Sequence, residues 1–235
     1  MSGLILELAL AVLPAVLAIT LHEAAHGYAA LAMGDDTALR EGRLSLNPLR
    51  HVDRVGTVLL PGMLLLAQLL TLGRVAFLFG WAKPVPVAAW KFRNPRRGMM
   101  VVAAAGPAMN VFLAWLGALS LHVSVLAPPP VAGVLGVLAF NFIIANLALG
   151  LFNLLPIPPL DGGRIMVGLL PRRLAERWAR LERVGILLVV LLVFVLPLLL
   201  REFGVHGDPV GAALEFVLLR AIHLLLLLAG SPVHA

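Results

Sequence analysis

Two histidines and a glutamate, His22, Glu23 and His26, lie inside a stretch, residues 4–33, that is otherwise almost entirely apolar. On a helix, residues four positions apart share one face, so the two imidazoles can direct nitrogens at a single point. This spacing is typical of zinc peptidases, in which the histidines bind the metal and the glutamate acts as general base. Ionisable side chains cost roughly 2.5 kcal/mol or more each inside a bilayer, which favours a functional role. The alternative is a polar helix face packed inside a transporter.

The composition places the chain among membrane proteins. Of its 235 residues 61% are hydrophobic and 13% are charged, and the mean hydropathy is +1.00. Cysteine is absent, which excludes disulfides, thiolate nucleophiles and cysteine-bound zinc, so any metal must be held by His, Asp or Glu. The net charge of +6 resides in short loops between apolar segments. Basic residues in such loops orient a membrane protein in the bilayer rather than bind a polyanion. We therefore expect the lipid bilayer, and no nucleic acid, as a partner.

The order of apolar blocks and connectors predicts an all-α polytopic membrane protein with about five to six transmembrane or re-entrant helices. The apolar blocks are residues 4–33, 55–72, 99–125, 131–155, 184–200 and 210–229. Residue alternation in 42–47 and the prolines of 83–87 predict short membrane-associated β segments.

The C-terminal third is predicted to form a separate part of the fold. Leu174, Trp178 and Leu181 fall at helical spacing among arginines, which predicts an amphipathic helix on the membrane surface. We therefore expect a core in residues 1–165, followed in 166–235 by this amphipathic helix and two transmembrane helices.

A second group of residues, around Asp161, can complete a metal site. Prolines at positions 156, 158 and 159 must unwind the chain before Asp161, and Gly162 and Gly163 follow it. Unwound backbone at membrane depth is tolerated only against protein or a polar cavity. Two histidines and one carboxylate make a three-ligand catalytic zinc site with a fourth position open. Asp161 could instead be a helix N-cap, but the histidine pair in the same chain favours the ligand.

These motifs together resemble the site-2 protease family, the intramembrane zinc metalloproteases of peptidase family M50. The resemblance runs from His22 to Arg164 and rests on three motifs: His22-Glu23-Ala24-Ala25-His26, Ala105-Gly106-Pro107-Ala108-Met109-Asn110, and the run from Asn153 through Pro156-Ile157-Pro158-Pro159-Leu160-Asp161-Gly162-Gly163.

The resemblance implies a set of roles. It makes His22, His26 and Asp161 the ligands of Zn²⁺, and Glu23 the catalytic base. It implies that Asn153 orients the substrate or stabilises the oxyanion. The Gly106 to Asn110 motif is expected to serve helix packing rather than chemistry. The implied activity is cleavage of transmembrane protein substrates within the bilayer, as in regulated intramembrane proteolysis.

The charges of the loops predict a topology. If residues 55–82 enter the membrane and return to the same side, the ends of the helices that carry His26 and Asp161 face the same way. All of the 18 Lys and Arg residues except Arg201 and Arg220 then share one face. The positive-inside rule makes this face cytoplasmic, so we expect a multi-pass protein of the plasma membrane with its active site toward the cytoplasm.

Two other function classes remain open at this point. A polytopic transporter also carries broken helices and buried charges, but it predicts symmetry between halves and has no use for a glutamate between metal-spaced histidines. A non-catalytic membrane scaffold with the same fold would be expected to lose Glu23 or a ligand. The sequence leaves the oligomeric state unknown.

Overall fold

The structure is a computed structural model that describes residues 2–73, 80–203 and 208–231. Ten α-helices lie within these ranges: α1 Ser2–Ala32, α2 Thr37–Arg40, α3 Leu60–Leu72, α4 Pro95–Ser124, α5 Pro129–Asn153, α6 Asp161–Leu169, α7 Arg172–Arg180, α8 Gly185–Val190, α9 Leu196–Glu202 and α10 Pro209–Leu228. Two π-helical turns, Arg54–Leu59 and Leu191–Val195, join α3 and α9 to the residues before them. Helix thus dominates, as expected.

Six helical segments are long and apolar enough to cross a membrane. They are Ile5–Ala32, Arg54–Thr71, Pro95–Ser124, Pro129–Asn153, Gly185–Glu202 and Pro209–Leu228. Many of their large apolar side chains are exposed, such as Leu70 and Leu228. In a soluble protein such extensive apolar surface would be an aggregation liability, whereas here it can face lipid. The number agrees with the predicted five to six membrane helices.

Helices α1, α4 and α5 form the centre of the molecule. Small residues let α4 approach its neighbours: a Cβ at Gly117 would lie 3.0 Å from Ile143 of α5, and close approach of this kind stabilises helix pairs in membranes. Pro14 lies inside α1 and has no N–H for the carbonyl of Leu10. Asn141 of α5 donates to that carbonyl from Nδ2 at 3.0 Å, so a neighbouring helix satisfies the group that the proline leaves free.

The segment from Arg54 to Trp81 returns to the point at which it begins. Trp81 N–H donates to the carbonyl of Gly56 at 3.1 Å, and the Thr57 hydroxyl donates to the carbonyl of Trp81 at 2.8 Å. Lys83 N–H donates to the carbonyl of His51 at 2.9 Å. The two ends of the segment are therefore neighbours, which is the arrangement that a re-entrant path requires.

The predicted β segments are wrong for this structure, because neither 42–47 nor 83–87, both within the described residues, forms a strand. Pro84 and Pro86 have no N–H to donate to a ladder. Arg43, whose side chain is buried, donates from its guanidinium to the carbonyls of Arg50, Lys83 and Pro84. A side chain thus satisfies carbonyls that a partner strand would otherwise bind.

The C-terminal helices pack back onto the centre. Leu225 and Ala229, at the end of α10, join a buried cluster with Ala118 of α4 and Ile143 of α5. The predicted helix between residues 171 and 183 is present as α7, whose arginines are exposed and whose Ala175 is buried.

Candidate metal centre

The C-terminal half of α1 places its two histidines beside Asp161. The Nε2 atoms of His22 and His26 are 3.0 Å apart. Asp161 Oδ2 lies 3.1 Å from His22 Nε2 and 3.3 Å from His26 Nε2. His22 and Asp161 are buried, at 4% and 6% exposure. The structure therefore brings the three predicted ligands together, although 135 residues of chain separate His26 from Asp161.

Helix α4 fixes the tautomer of both histidines. His26 Nδ1 lies 2.7 Å from the carbonyl of Val102, which can only accept, so Nδ1 carries the proton. His22 Nδ1 lies 2.6 Å from Asn110 Oδ1. The amide of Asn110 is itself oriented, because its Nδ2 donates to Asn146 Oδ1 and to the carbonyl of Ala18. With Nδ1 bound to these acceptors, the neutral form of each imidazole presents its lone pair at Nε2, as metal-binding histidines do.

The three atoms that converge fit a zinc ion. Two Nε2 lone pairs and a carboxylate oxygen repel one another unless a cation lies between them, and Asp161 Oδ2 is buried without a hydrogen-bond partner. Ligand atoms around a tetrahedral zinc, with bonds of about 2.0–2.1 Å, lie about 3.3 Å apart. The edges of 3.0–3.3 Å agree with that spacing, so the donor set and its geometry both suit Zn²⁺.

Gly106 of α4 makes room for the two imidazole rings. A Cβ at this position would lie 2.5 Å from His26 and 2.6 Å from His22, well inside van der Waals contact. The residue is helical, so its role is space rather than an unusual backbone conformation. Gly106 therefore serves packing, as predicted, and the packing is against the metal centre itself.

Asp161 begins α6 without acting as its N-cap. Leu160 occupies the capping position, and no side chain makes a capping hydrogen bond there. The alternative function of Asp161 as a helix cap is thereby excluded. The loop before α6 crosses closely over the two following glycines: a Cβ at Gly162 would lie 2.2 Å from the carbonyl oxygen of Leu154, and one at Gly163 2.3 Å from Pro158 N.

Glu23 lies next to the histidine pair and is held by an extended segment. One ligand atom each from His22, Glu23 and His26 lie within 4.8 Å of one another. Glu23 Oε2 accepts a hydrogen bond from the backbone N–H of Val85 at 3.1 Å. Val85 belongs to residues 83–88, a segment we call the strap, which passes over the carboxylate.

Asp35 anchors the far end of the strap. Its side chain, which is buried, accepts from Ala88 N–H at 2.6 Å and from Thr37 N–H at 3.0 Å, and it lies 3.2 Å from Lys91 Nζ. Burial raises the pKa of Asp35, but hydrogen bonds from Thr37, Ala88 and Lys91 outweigh it and lower the pKa below its usual value. The charged carboxylate is thus the form that holds the strap.

A cavity of about 760 Å³ opens beside the metal centre. His22, Glu23 and Asn153 line it, together with apolar side chains such as Ile19 and Phe152. Asn153 is the last residue of α5, and its Nδ2 donates to the carbonyl of Leu149 at 3.0 Å. Thr20 also lines the cavity, but its hydroxyl donates to the carbonyl of Val16, as an ordinary helix residue would. A mostly apolar cavity with a few polar groups is typical of a substrate site.

Two residues of this region have roles that the sequence did not indicate. Asn110, expected only to pack, orients His22. His51, which belongs to none of the sequence motifs, is buried at 3% exposure and lines the cavity. Its Nε2 donates to the carbonyl of Ser45 at 2.8 Å, and its Nδ1 has no partner. The feature of the sequence that could have indicated a role for Asn110 is that a polar amide side chain lies within an apolar helix.

The chain is similar in sequence to known proteins. The sequence model of peptidase family M50 matches residues 122–197, which include Asn153 and Asp161. A Bacillus subtilis (strain 168) protein named "Putative zinc metalloprotease YwhC" is 38% identical to the chain over 196 residues, which cover 80% of this chain and 80% of that relative. No solved structure matches the chain.

Proposed function

Since the chain belongs to peptidase family M50 and is a zinc metalloprotease with several membrane helices, we propose that it cleaves peptide bonds of transmembrane proteins within the bilayer. One observation carries this proposal. The Nε2 atoms of His22 and His26, on a helix that can span a membrane, meet Asp161 Oδ2 from α6 beside Glu23. A peptidase centre at that depth has membrane segments as its nearest substrates.

His22, His26 and Asp161 are the residues that would hold zinc, and Glu23 is the general base. Zinc, when bound, would supply Lewis acidity: it would polarise a carbonyl group and lower the pKa of water to near neutrality. Glu23 takes the proton of the attacking water and passes it to the departing amine. Asn153, which lines the same cavity as Glu23, binds the substrate backbone and stabilises the developing oxyanion.

The substrate must be unwound before it is cleaved. A helical peptide bond is hydrogen-bonded and shielded, whereas the cavity takes an extended chain along its apolar walls. We place the protein in the plasma membrane with the centre toward the cytoplasm, because the arginine-rich ends of α4 and α7 and the metal centre lie at the same end of the central helices.

The test uses purified protein in liposomes with a single-span model peptide that carries helix-destabilising Asn and Gly in its span. Wild type should cleave within the span. Glu23→Gln should lower kcat by about 10²–10⁴-fold while retaining zinc, because the ligands are unchanged. Asp161→Ala should lose both zinc and activity.

Two outcomes would refute parts of the proposal. Cleavage by Glu23→Gln at the wild-type rate would exclude Glu23 as the general base. Cleavage of unfolded casein, but not of the membrane-embedded peptide, would be consistent with protease activity but would exclude intramembrane substrates.

A further inference from the structure

We propose that the backbone N–H of Val85 is a positioning group, which holds the Glu23 carboxylate in place for proton transfer. This inference rests on the proposed role of Glu23 as general base. It adds to that role a group from a different part of the chain, 62 residues further on.

The bond uses one carboxylate oxygen and leaves the other for chemistry. Val85 N–H donates to Oε2 at 3.1 Å, and the Glu23 side chain makes no other hydrogen bond within the described residues. A glutamate side chain has several rotatable bonds, and holding it in one conformation costs entropy unless a partner fixes it. With Oε2 bound, Oε1 stays available to a water beside the two histidines, since a carboxylate oxygen of Glu23 lies within 4.8 Å of a nitrogen of each histidine.

The N–H of Val85 is itself rigidly placed. Pro84 and Pro86 flank it, and a proline confines the residue before it to extended conformations. On the N-terminal side Lys83 N–H donates to the carbonyl of His51. On the C-terminal side Ala88 N–H donates to the buried Asp35. Val85 is buried at 8% exposure between these two fixed points.

The strap is therefore built to present one N–H. Its prolines have no donors, and Val87 N–H makes no hydrogen bond within the described part of the chain. The donors of Lys83 and Ala88 hold the strap itself, which leaves Val85 as the donor directed at α1. Because displacement of a catalytic group by about 1 Å can cost about 100-fold in rate, fixing Glu23 in this way has kinetic consequences.

The test compares three variants in the liposome assay. Val85→Pro removes the N–H and keeps residue 85 within the extended region to which Pro86 already confines it. We expect kcat to fall by about 10–100-fold with KM changed by less than about threefold, since the base, not substrate binding, is disturbed. Zinc content and melting temperature should match those of wild type.

Two controls separate the N–H from other effects. Val87→Pro adds a proline to the same strap but removes an unpaired N–H, so kcat should stay within about threefold of wild type. Val85→Ala keeps the N–H and measures the side chain alone. A Val85→Pro enzyme with kcat equal to that of Val85→Ala would overturn the inference.

A second measurement applies even if Val85→Pro does not fold. Hydrogen exchange of the Val85 amide, followed in ¹⁵N-valine-labelled protein, should be slow in wild type and at least about tenfold faster in Glu23→Ala. An unchanged exchange rate would overturn the inference. Failure of wild type to cleave the model peptide would instead refute the proposed function, and the inference with it.

Discussion

Asn110 Oδ1 lies 2.6 Å from His22 Nδ1, so an amide on α4 fixes the orientation of a histidine on α1 across 88 residues of sequence. A partner of this kind sets the tautomer and raises the basicity of a metal-binding histidine. Asn110→Ala should therefore weaken zinc binding by about 10–100-fold. The measurement is zinc retention in competition with a chelator of known affinity.

Asn141→Ala is the matched control for Asn110→Ala. Asn141 is also an amide that joins two membrane helices, but it donates to the carbonyl of Leu10, away from the histidines. It should lower the melting temperature and leave zinc affinity unchanged. Equal loss of zinc in both variants would mean that Asn110 contributes only to packing.

Gly106→Ala should remove zinc while the helix persists. Alanine favours helix over glycine by up to about 1 kcal/mol, so α4 itself gains stability. The new Cβ would lie 2.5 Å from the His26 ring, and the ring must turn away from Asp161 to avoid it. Gly133→Ala in α5, where a Cβ has no atom within 4 Å, serves as control. Zinc content by mass spectrometry distinguishes them, and full zinc in Gly106→Ala would contradict the packing argument.

The sequence predicted which three residues meet at the candidate metal centre, because short motifs carry much of their geometry. His22 and His26 are fixed by helical spacing, and Asp161 by the prolines that unwind the chain before it. Asn110 could not be assigned, since its contact with His22 depends on how α4 packs against α1. The hydrogen bond from Val85 to Glu23 could not be predicted from residue types, because every residue except proline carries a backbone N–H.

The error over the β segments has a similar origin. Alternation and prolines in 42–47 and 83–87 indicate extended chain, and the strap is extended. Whether extended chain becomes a strand depends on where its backbone groups find partners. Here the side chains of Arg43, Glu23 and Asp35 supply those partners, and contacts of this kind between distant residues are set by tertiary structure.

The return of the 54–81 segment to its starting point predicts one-sided labelling. Single cysteines can be introduced without background because the chain has none. Three exposed residues lie near the same end of the central helices as the metal centre and can be replaced by cysteine: Leu46, Trp90 and Arg173. All three should react with an impermeant thiol reagent from the same side of the membrane, expected to be the cytoplasmic side.

Leu126→Cys supplies the opposite reference for this experiment. Leu126 is exposed and follows the far end of α4, so it should be labelled only from the other side. Labelling of Leu46 and Trp90 from different sides would mean that residues 54–81 cross the membrane completely.

Two adjacent aspartates, Asp35 and Asp36, should differ in how much they stabilise the fold. Asp35 is buried and binds Thr37, Ala88 and Lys91, whereas Asp36 is partly exposed and pairs with Arg40 and Lys91. Asp35→Asn leaves buried donors without a charged acceptor and should cost about 1–3 kcal/mol at pH 7. Asp36→Asn, an exposed ion-pair change, should have a smaller effect.

The pH dependence of Asp35→Asn follows from the lowered pKa of Asp35. Burial opposes the charge, but the hydrogen bonds of Thr37, Ala88 and Lys91 bring the pKa of the folded state below that of the unfolded chain. The carboxylate therefore stabilises the fold fully above the unfolded pKa of about 3.9, and this contribution is lost as the pH falls through the lower folded value. Melting curves in detergent should show a constant gap between wild type and Asp35→Asn from pH 7 down to about 5. Below about pH 4 the gap should narrow, because wild type alone loses the contribution of the Asp35 carboxylate there. A gap that widens on acidification would mean that Asp35 is protonated in the folded protein.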